Sequence, residues 1–379
     1  MNILSVIMVV FAVLGAIDLI LGNRIGIGKE FERGINMLGA LALSMIGIIV
    51  LSPLIAQLLA PVLNGIAKVL PFEPSIGIAS LLANDMGGAT LAMQFATTPQ
   101  IGYFNGLVVG AMMGATISFT LPFALSATEK LQRHSLALGL MCGVCVIPVG
   151  CLVAGCIAQL PFSTLLIDLV PLFLFSALLS FGLLKFPEQS IKIFNVVGWI
   201  VKALATAGLV IGIAQLLLGV DIPYIAPIEE GFEIVFNVAV VLAGAFPLIY
   251  LLSKALKKPL KALCGVLDVN ETSALGFLST LATSVTTFGM MKDMDEKGIV
   301  LNSAFAVSAG FTFADHLAFT MSFNPDYLLC VIVGKLVAGF VALFVAHFVC
   351  SRQKSLNKAK NKKLGSKGFF YGTNKEVLL

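Results

Sequence analysis

The sequence Leu81-Leu-Ala-Asn-Asp-Met-Gly-Gly88 lies in the middle of an apolar run that extends from Ser75 to Ala96. Its two adjacent glycines permit backbone conformations that interrupt a helix. Asp85 places a carboxylate in this run, and an acidic residue within a membrane segment is rare unless it has a function. The stretch therefore predicts two half-helices joined by a polar turn, if the rest of the chain belongs in a membrane.

The composition places the whole chain in a membrane. Hydrophobic residues make up 58% of the 379 residues and charged residues only 12%, whereas soluble domains carry about 25% charged residues. Apolar runs of about 20 residues, long enough to cross a hydrocarbon core of about 30 Å, recur from Asn2 to Cys350. Spanning segments are helices or closed barrels, and a barrel would need short alternating strands. The sequence therefore predicts an all-α integral membrane protein.

Charged residues and breaks rich in Pro or Gly divide the apolar sequence into eleven segments. These segments are Asn2–Gly22, Gly34–Ala56, Ser75–Ala96, Ile101–Ser126, Leu136–Ala158, Pro161–Phe186, Phe194–Val220, Phe232–Leu252, Ser273–Met290, Gly298–Met321 and Tyr327–Cys350. Two segments differ from the others, because the third is interrupted at Asp85 and the ninth carries a polar patch. The patch consists of Thr283, Ser284, Thr286 and Thr287.

The basic residues favour a topology in which these two segments turn back instead of crossing. If all eleven segments crossed, the basic loops would fall on both sides of the membrane. If residues 75–96 and 271–290 are re-entrant hairpins and the N-terminus is outside, nearly all basic loops and the basic tail at 351–379 are cytoplasmic. The prediction is about nine transmembrane helices and two re-entrant hairpins in the bacterial inner membrane, with a cytoplasmic C-terminus. A basic tail beside anionic lipid accounts for much of the net charge of +4, so no nucleic-acid partner is expected.

The same topology divides the chain into two inverted repeats. Residues 1–158 form the first, residues 193–350 form the second, and a transmembrane helix in 159–192 joins them. Inverted repeats are typical of secondary transporters that work by alternating access, with the substrate site near the bilayer midplane. The sequence therefore predicts a transporter.

Similarity between the two halves supports this division. Gly114-Ala-Thr-Ile-Ser-Phe-Thr-Leu121 resembles Gly310-Phe-Thr-Phe-Ala-Asp-His-Leu317, at an offset of 196 residues. Asn105 recurs as Asn302 at an offset of 197. These matches are few, but they occur between segments that have the same rank in the two halves.

Two acidic positions are the strongest candidates for a binding site, because a carboxylate at membrane depth costs on the order of 3 kcal/mol. Asp85 lies at the predicted tip of the first hairpin, where Gly87 allows the backbone to approach a ligand. Asp315 and His316 lie in the middle of the tenth segment. Both carboxylates could bind a cationic substrate. The structural alternatives are that Asp85 caps its own hairpin and that Asp315 and His316 satisfy each other.

Other polar side chains could supply hydrogen bonds near the two predicted tips: Asn84, Gln94, Thr283, Ser284, Asn302 and Thr312. Each of them could instead satisfy interrupted backbone. Asp168, Lys202 and Lys335 are expected to form ion pairs between helices or, for the lysines, to extend toward the interface. Cys142 and Cys145 have the spacing of a redox or metal motif, but no His or further Cys cluster accompanies them, and the chain has no phosphate-binding loop. We therefore expect neither a cofactor nor an enzymatic activity.

Five stretches of the chain carry a resemblance to a known family: Leu81-Leu-Ala-Asn-Asp-Met-Gly-Gly88, Gly110-Ala-Met-Met-Gly114, Phe288-Gly-Met-Met-Lys-Asp-Met-Asp295, Asn302-Ser-Ala-Phe-Ala-Val-Ser-Ala309 and Asp315-His-Leu317. They resemble the ethanolamine-utilisation transporter family EutH over nearly the whole membrane region. The resemblance implies ethanolamine uptake by bacteria that use this amine as a source of carbon and nitrogen. Asp85, Gly87, Asp315 and His316 fall on the motifs of the family, whereas Thr283-Ser284 departs from its pattern.

Ethanolamine is mostly protonated near neutral pH, so the resemblance implies a carboxylate or ring face for the ammonium and a hydrogen-bonding group for the hydroxyl. Asp85, Asp315 and His316 with neighbouring hydroxyls could supply both. The alternatives are a secondary transporter of another small polar solute, a channel and an intramembrane enzyme; the last two lack a charged ring or a nucleophile–base cluster. The sequence leaves open coupling to H⁺ or Na⁺, the motion of the halves and whether the protein is a homo-oligomer.

Overall fold

A computed structural model of the chain describes residues 3–69, 73–255 and 264–368. Every regular element in these ranges is a helix, as the composition predicted. Eight helical segments are long and apolar enough to cross a membrane: Ile3–Ile20, Ile27–Leu63, Pro99–Ala127, Arg133–Ile157, Phe162–Lys185, Lys192–Leu218, Ile228–Ala255 and Pro325–Arg352. They coincide with eight of the eleven predicted segments, so the chain is a multi-pass, all-α membrane protein.

The α-helices are numbered here in chain order. They are α1 (Ile3–Ile20), α2 (Ile27–Leu41), α3 (Gly47–Val69), α4 (Pro74–Ala79), α5 (Gly88–Phe95), α6 (Pro99–Tyr103), α7 (Leu121–Ala127), α8 (Arg133–Val144), α9 (Ile147–Ile157), α10 (Phe162–Lys185), α11 (Pro187–Leu218), α12 (Ile228–Ala255), α13 (Glu271–Ala282), α14 (Ser284–Gly289), α15 (Glu296–Ala309), α16 (Asp315–Phe323) and α17 (Leu328–Gly368). Wider π-helical turns at Ala42–Ile46, Phe104–Gly114 and Thr116–Thr120 connect α2 to α3 and α6 to α7. Each of these two pairs therefore continues as one long helix.

The predicted third and ninth segments each contain two short helices instead of one long helix. In the third, α4 packs against α5, and the turn between them contains Asp85. Gly87 in this turn has a φ of 83°, which favours glycine, and a Cβ there would collide with the side chain of Ile48. In the ninth, α13 and α14 meet at Thr283, whose hydroxyl accepts a hydrogen bond from the N–H of Val285 (3.3 Å). Both predicted interruptions are therefore present.

The tenth predicted segment, Gly298–Met321, is not a single helix, and this part of the prediction is wrong. After α15 the chain leaves the helix, and Phe311 has a φ of 60°. The N–H of Phe311 donates to the carbonyl of Thr280 (3.1 Å), and the N–H of Phe313 donates to the next carbonyl of α13 (3.0 Å). The backbone of the break is thus bonded to α13 instead of its own helix, so Asp315 begins α16 and does not lie in mid-helix.

The π-helical segment between α6 and α7 passes along the first pair of short helices. Residues Phe104–Gly114 are all buried. Gly106, Gly110 and Gly114, one at every fourth position, face this pair of helices and its turn; a Cβ at Gly110 would lie 3.2 Å from the Asn84 backbone. Small residues permit such close approach between membrane helices, and here they fix the position of the acidic turn.

Hydrogen bonds anchor both pairs of short helices to the helix that follows them. In the first half, Asn105 Nδ2 donates to Ser75 Oγ (2.9 Å) at the start of α4. In the second half, Asn302 Nδ2 donates to the carbonyl of Ser273 (2.9 Å) at the start of α13. The two asparagines are the pair that recurs at the offset of 197 residues, so equivalent sequence positions make equivalent contacts.

A carboxylate completes each anchor. Glu73, which precedes α4, accepts hydrogen bonds from the N–H (2.8 Å) and hydroxyl (2.6 Å) of Thr97. Asp295, which precedes α15, accepts from the N–H of Asn270 (2.9 Å) and the hydroxyl of Ser273 (2.8 Å). The carboxylate precedes the short helices in the first half and follows them in the second. In both halves it connects the start of the first short helix to the segment just before the next long helix.

Candidate functional site

One cavity brings the acidic turn and the broken tenth segment together. Its volume is about 750 Å³, and its wall includes side chains from α2, α7, α11 and α16. Four of the predicted site residues line it: Asp85, Thr283, Asp315 and His316. Two carboxylates that are far apart in the sequence therefore line the same space.

Asp85 lies half-buried in a 3₁₀ turn, Asn84–Met86, in the wall of the cavity. Backbone groups hold this turn: the N–H of Gly88 donates to the carbonyl of Ala83 (2.9 Å), and the N–H of Ala83 donates to Ser118 Oγ (3.1 Å). Within the described ranges the Asp85 carboxylate has no ion pair and no hydrogen bond to another residue, and α5 has no side-chain cap. The geometry therefore does not support a capping role, and it leaves the carboxylate available to a ligand.

Asp315 and His316 do not satisfy each other. Asp315 is the first residue of α16 and is half-buried, and no cap or hydrogen bond from its side chain occurs in the part of the chain that is described. The His316 ring is buried, its Nδ1 has no hydrogen-bond partner among the described residues, and its centroid lies 5.5 Å from that of Phe311. Because a buried polar atom without a partner is costly, this nitrogen is a further candidate for ligand contact.

Three aromatic side chains line the same cavity and were not identified from the sequence. Phe119 stacks on Phe123, with centroids 5.7 Å apart and an interplanar angle of 4°. Phe119 also meets Phe311 edge to face at 5.5 Å. The chain contains 28 Phe, and composition does not separate these three from the rest. The similarity between residues 114–121 and 310–317 could have identified two of them, because Phe119 lies in the first stretch and Phe311 in the second.

The other predicted site residues do not line the cavity. Gln94 donates to Ser52 Oγ (3.2 Å), and Thr312 donates to the carbonyl of Ala309 (2.8 Å). Asn302 serves as the anchor described above. The remaining three are Asn84 and Ser284, both fully buried, and Gly87 in the acidic turn. These six residues belong to the elements around the site, and none of them lines the cavity.

Three charged side chains in the long helices lack the interhelical ion pairs that we expected. Lys335 is buried and donates to the carbonyl of Ala111 (2.6 Å), and Asp168 accepts a hydrogen bond from Asn105 (3.3 Å). Lys202 lines the cavity. The ion pairs found among the described residues involve none of the three. Since Lys202 and two carboxylates line the cavity, the formal charge of its wall is negative.

Eight helices of spanning length within the described ranges define a multi-pass membrane protein, and three of them contribute to the wall of a negatively charged cavity. The sequence pattern of the family described as "Ethanolamine utilisation protein, EutH" matches residues 1–349. The chain belongs to this family, which confirms the resemblance that its motifs carry.

Curated relatives cover almost the same length as this chain. A protein of Listeria monocytogenes serotype 1/2a (strain 10403S) named "Probable ethanolamine permease EutH" is 46% identical over 362 residues, which are 95% of this chain and 96% of the relative. A protein of the same name from Escherichia coli (strain K12) is 35% identical over 377 residues, covering 89% and 92% of the two chains. "Uncharacterized protein YxeR" of Bacillus subtilis (strain 168) is 37% identical over 334 residues, covering 88% and 90%. No solved structure matches the chain significantly.

Proposed function

We propose that the protein transports protonated ethanolamine into the cell and that Asp85 and Asp315 bind its ammonium group. The observation that carries the proposal is that both carboxylates line one cavity and that neither forms an ion pair or a hydrogen bond with another described residue. The names of the Listeria and Escherichia relatives support ethanolamine as the solute. A carboxylate and an ammonium form a charge-assisted hydrogen bond, which offsets the loss of hydration when the solute leaves water.

Each end of ethanolamine has a suitable partner in the cavity wall. The ammonium is small enough to lie between a carboxylate and an aromatic ring face, and Phe119 and Phe311 offer such faces. The hydroxyl can donate and accept, and the hydroxyl of Thr283 can do both; the His316 ring also lines the cavity. A negatively charged wall favours a cation over a carboxylate solute, because like charges repel strongly in a poorly hydrated cavity.

The proposed mechanism is alternating access between two inverted repeats, residues 1–158 and 193–350. Three features support it: the same order of elements in both halves, the paired anchors of Asn105 and Asn302, and a substrate cavity lined by both halves. We take α4–α5 and α13–α14 as re-entrant hairpins, because the two short helices of each pair pack against each other and the basic loops then fall mostly on one side of the membrane. The basic residues favour the bacterial inner membrane with the N-terminus outside and the C-terminus in the cytoplasm.

Another small cationic solute is the main alternative, and competition separates it from ethanolamine. The test is uptake of radiolabelled ethanolamine into proteoliposomes of the purified protein, with unlabelled choline or serine as competitors. We expect saturable uptake that unlabelled ethanolamine abolishes and that choline and serine reduce much less. The double variant Asp85→Asn/Asp315→Asn, reconstituted to the same density, should take up ethanolamine at least about tenfold more slowly than the wild type. Uptake by this variant at the wild-type rate, or equal competition by choline, would refute the proposed site or substrate.

A further inference from the structure

A second buried polar cluster lies outside the cavity. Asn105 Nδ2 donates to Asp168 Oδ1 of α10 (3.3 Å) as well as to Ser75 Oγ (2.9 Å). The Ser75 hydroxyl in turn donates to Glu73 Oε1 (3.4 Å). None of these four residues lines the cavity. The cluster therefore joins α10, the π-helical segment and the start of the first hairpin in one chain of hydrogen bonds.

The two carboxylates of this cluster are not equally satisfied. Glu73 accepts from Thr97 through both of its oxygens and from Ser75 through one of them. Asp168 is 4% exposed, it accepts one hydrogen bond at Oδ1, and its Oδ2 has no hydrogen-bond partner among the described residues. Asn105 is 0% exposed, and its Oδ1 also has no partner. Two fully enclosed acceptor atoms on neighbouring side chains are therefore left without donors.

The matching arrangement in the second half needs no second carboxylate, although Asn302 Oδ1 there, like Asn105 Oδ1, has no hydrogen-bond partner among the described residues. There a single carboxylate, Asp295, accepts from the N–H of Asn270, the hydroxyl of Ser273 and the N–H of Gly298 (3.2 Å). Glu73 performs that task in the first half. Asp168 is thus an additional carboxylate, placed next to an anchor that is complete without it.

If the Asp168 carboxylate is ionised, it needs a positively charged partner. An isolated ionised carboxylate away from water costs several kcal/mol unless it is paired. No described Lys, Arg or His forms an ion pair with Asp168. Both unpartnered atoms of the cluster are oxygens, so a bound group must carry positive charge or donate hydrogen bonds. Intramembrane carboxylates of this kind mark ion pathways in transporters.

We propose that Asp168 Oδ2 and Asn105 Oδ1, with the Ser75 hydroxyl beside them, bind an inorganic monovalent cation such as Na⁺. Oxygen ligands suit hard cations. One free carboxylate matches a single positive charge, and no group of three or more His, Cys, Asp or Glu side chains placed to hold a metal ion was found within the described ranges. A divalent ion would therefore lack ligands of sufficient charge.

The position of the cluster links this ion to the substrate cavity. Ser75 lies in α4, and α4 and α5 flank the turn that carries Asp85. Asn105 lies in the π-helical segment that continues to Ser118, whose hydroxyl holds that turn. An ion between Asn105 and Asp168 would stabilise both elements that position Asp85. We therefore expect Na⁺ to increase ethanolamine uptake. This expectation rests on the proposed function, whereas the proposed binding of Na⁺ is independent of it.

The first test measures ion binding without substrate. Thermal unfolding of the purified protein is followed while NaCl replaces N-methylglucamine chloride at constant ionic strength and pH, without ethanolamine. We expect Tm to rise with the logarithm of the Na⁺ concentration in the wild type. Asp168→Asn should be at least as stable as the wild type without Na⁺, because it removes an unpaired charge, and it should not respond to Na⁺. Absence of a Na⁺-dependent shift in the wild type would overturn the site.

Two further variants make this test specific. Asp221→Asn, at an exposed acidic residue between α11 and α12, should respond to Na⁺ as the wild type does; loss of its response would overturn the assignment to Asp168. If Asp168→Asn does not fold, Asn105→Ala keeps the carboxylate but removes one ligand, and it should require several-fold more Na⁺ for the same shift. An unchanged Na⁺ requirement in Asn105→Ala would also overturn the site.

The second test measures coupling in proteoliposomes. Ethanolamine uptake should be several-fold faster with an inward Na⁺ gradient than without one at equal pH, and Asp168→Asn should lose this increase while still binding ethanolamine. Uptake that responds to an imposed pH gradient and not to Na⁺ would overturn the proposal, since Asp168 would then hold a proton. If no ethanolamine uptake occurs under any condition, the proposed function fails, but the shift in Tm still decides whether the ion site exists.

Discussion

The two halves of the chain contain similar pairs of short helices, but only the first pair has a charged turn. The turn between α4 and α5 carries Asp85, whereas α13 and α14 meet at the uncharged Thr283. The second half contributes its carboxylate, Asp315, from the break that follows α15. At the repeat offset, Asp315 corresponds to Phe119 in the first half. Each half therefore supplies one carboxylate to the cavity, but from a different element.

This difference bears on how transport could work. A cation held by both Asp85 and Asp315 contacts the two halves at once, so its binding energy depends on their relative position. A ligand can shift a conformational equilibrium only by its difference in affinity between the two states. Carboxylates on separate elements provide such a difference, because movement of one half changes the distance between them. The predictions below test whether both halves contribute, beginning with the largest expected effect.

Asp85→Asn and Asp315→Asn should each lower the rate of ethanolamine uptake by about 10- to 100-fold. A charge-assisted hydrogen bond contributes about 1.5–3 kcal/mol, and about 1.4 kcal/mol corresponds to a factor of ten. The measurement is initial uptake in proteoliposomes at low substrate concentration, with Asp221→Asn as the control. If both carboxylates bind the same ammonium, the double variant loses less than the sum of the two single effects. Normal uptake by either single variant would assign the site to one half alone.

Gly87→Ala should lower the stability of the protein by about 1–3 kcal/mol, because a left-handed backbone is strained in a residue with a Cβ. The new methyl group would also collide with Ile48 and displace the acidic turn. Gly289 at the end of α14 is the matched control in the second half, since a Cβ there has nothing within 4 Å. Thermal unfolding and uptake of both variants are measured. An equal loss in Gly289→Ala would mean that the acidic turn has no special conformational requirement.

Glu73→Gln and Asp295→Asn should each destabilise one pair of short helices by about 1–2 kcal/mol. The amide that replaces the carboxylate has an NH₂ group in place of one oxygen, so one N–H or O–H donor loses its acceptor. Hydrogen exchange measured by mass spectrometry should increase in residues 74–95 for the first variant and in 271–289 for the second. The rest of the protein should exchange as the wild type does. Faster exchange throughout the chain in both variants would show that the anchors stabilise the whole fold and not separate elements.

The sequence was sufficient to predict the parts of the site that have local signals. A carboxylate beside two glycines in an apolar run identified the acidic turn, and the rarity of acidic residues in such runs identified Asp315. The helical class and the eight long helices follow from hydropathy alone. Each of these predictions depends on a single segment and needs no knowledge of its neighbours.

The break in the tenth segment and the aromatic wall could not be predicted in this way. The break contains one glycine and two Phe, and its hydropathy does not differ from that of a helix. It is maintained by hydrogen bonds from Phe311 and Phe313 to α13, which are tertiary contacts. Phe119 and Phe123 become part of the site because the π-helical turn that carries Phe119, just before α7, packs against Phe311 in that break, and Phe123 stacks on Phe119. These features arise from the assembly of segments, so single-segment reasoning does not reveal them.

Phe119→Leu and Phe311→Leu test whether the aromatic wall contributes equally from both halves, and they have the smallest expected effect. A cation–π contact contributes about 0.5–1 kcal/mol, so each variant should raise the KM for ethanolamine by about two- to fivefold. The maximal rate should change little, because the carboxylates remain. Phe344→Leu is the control, since this side chain is 74% exposed and lies away from the cavity. A higher KM in Phe119→Leu alone would place the ammonium nearer Asp85, whereas a higher KM in Phe311→Leu alone would place it nearer Asp315. Equal changes in both variants would support an ammonium held between the two halves.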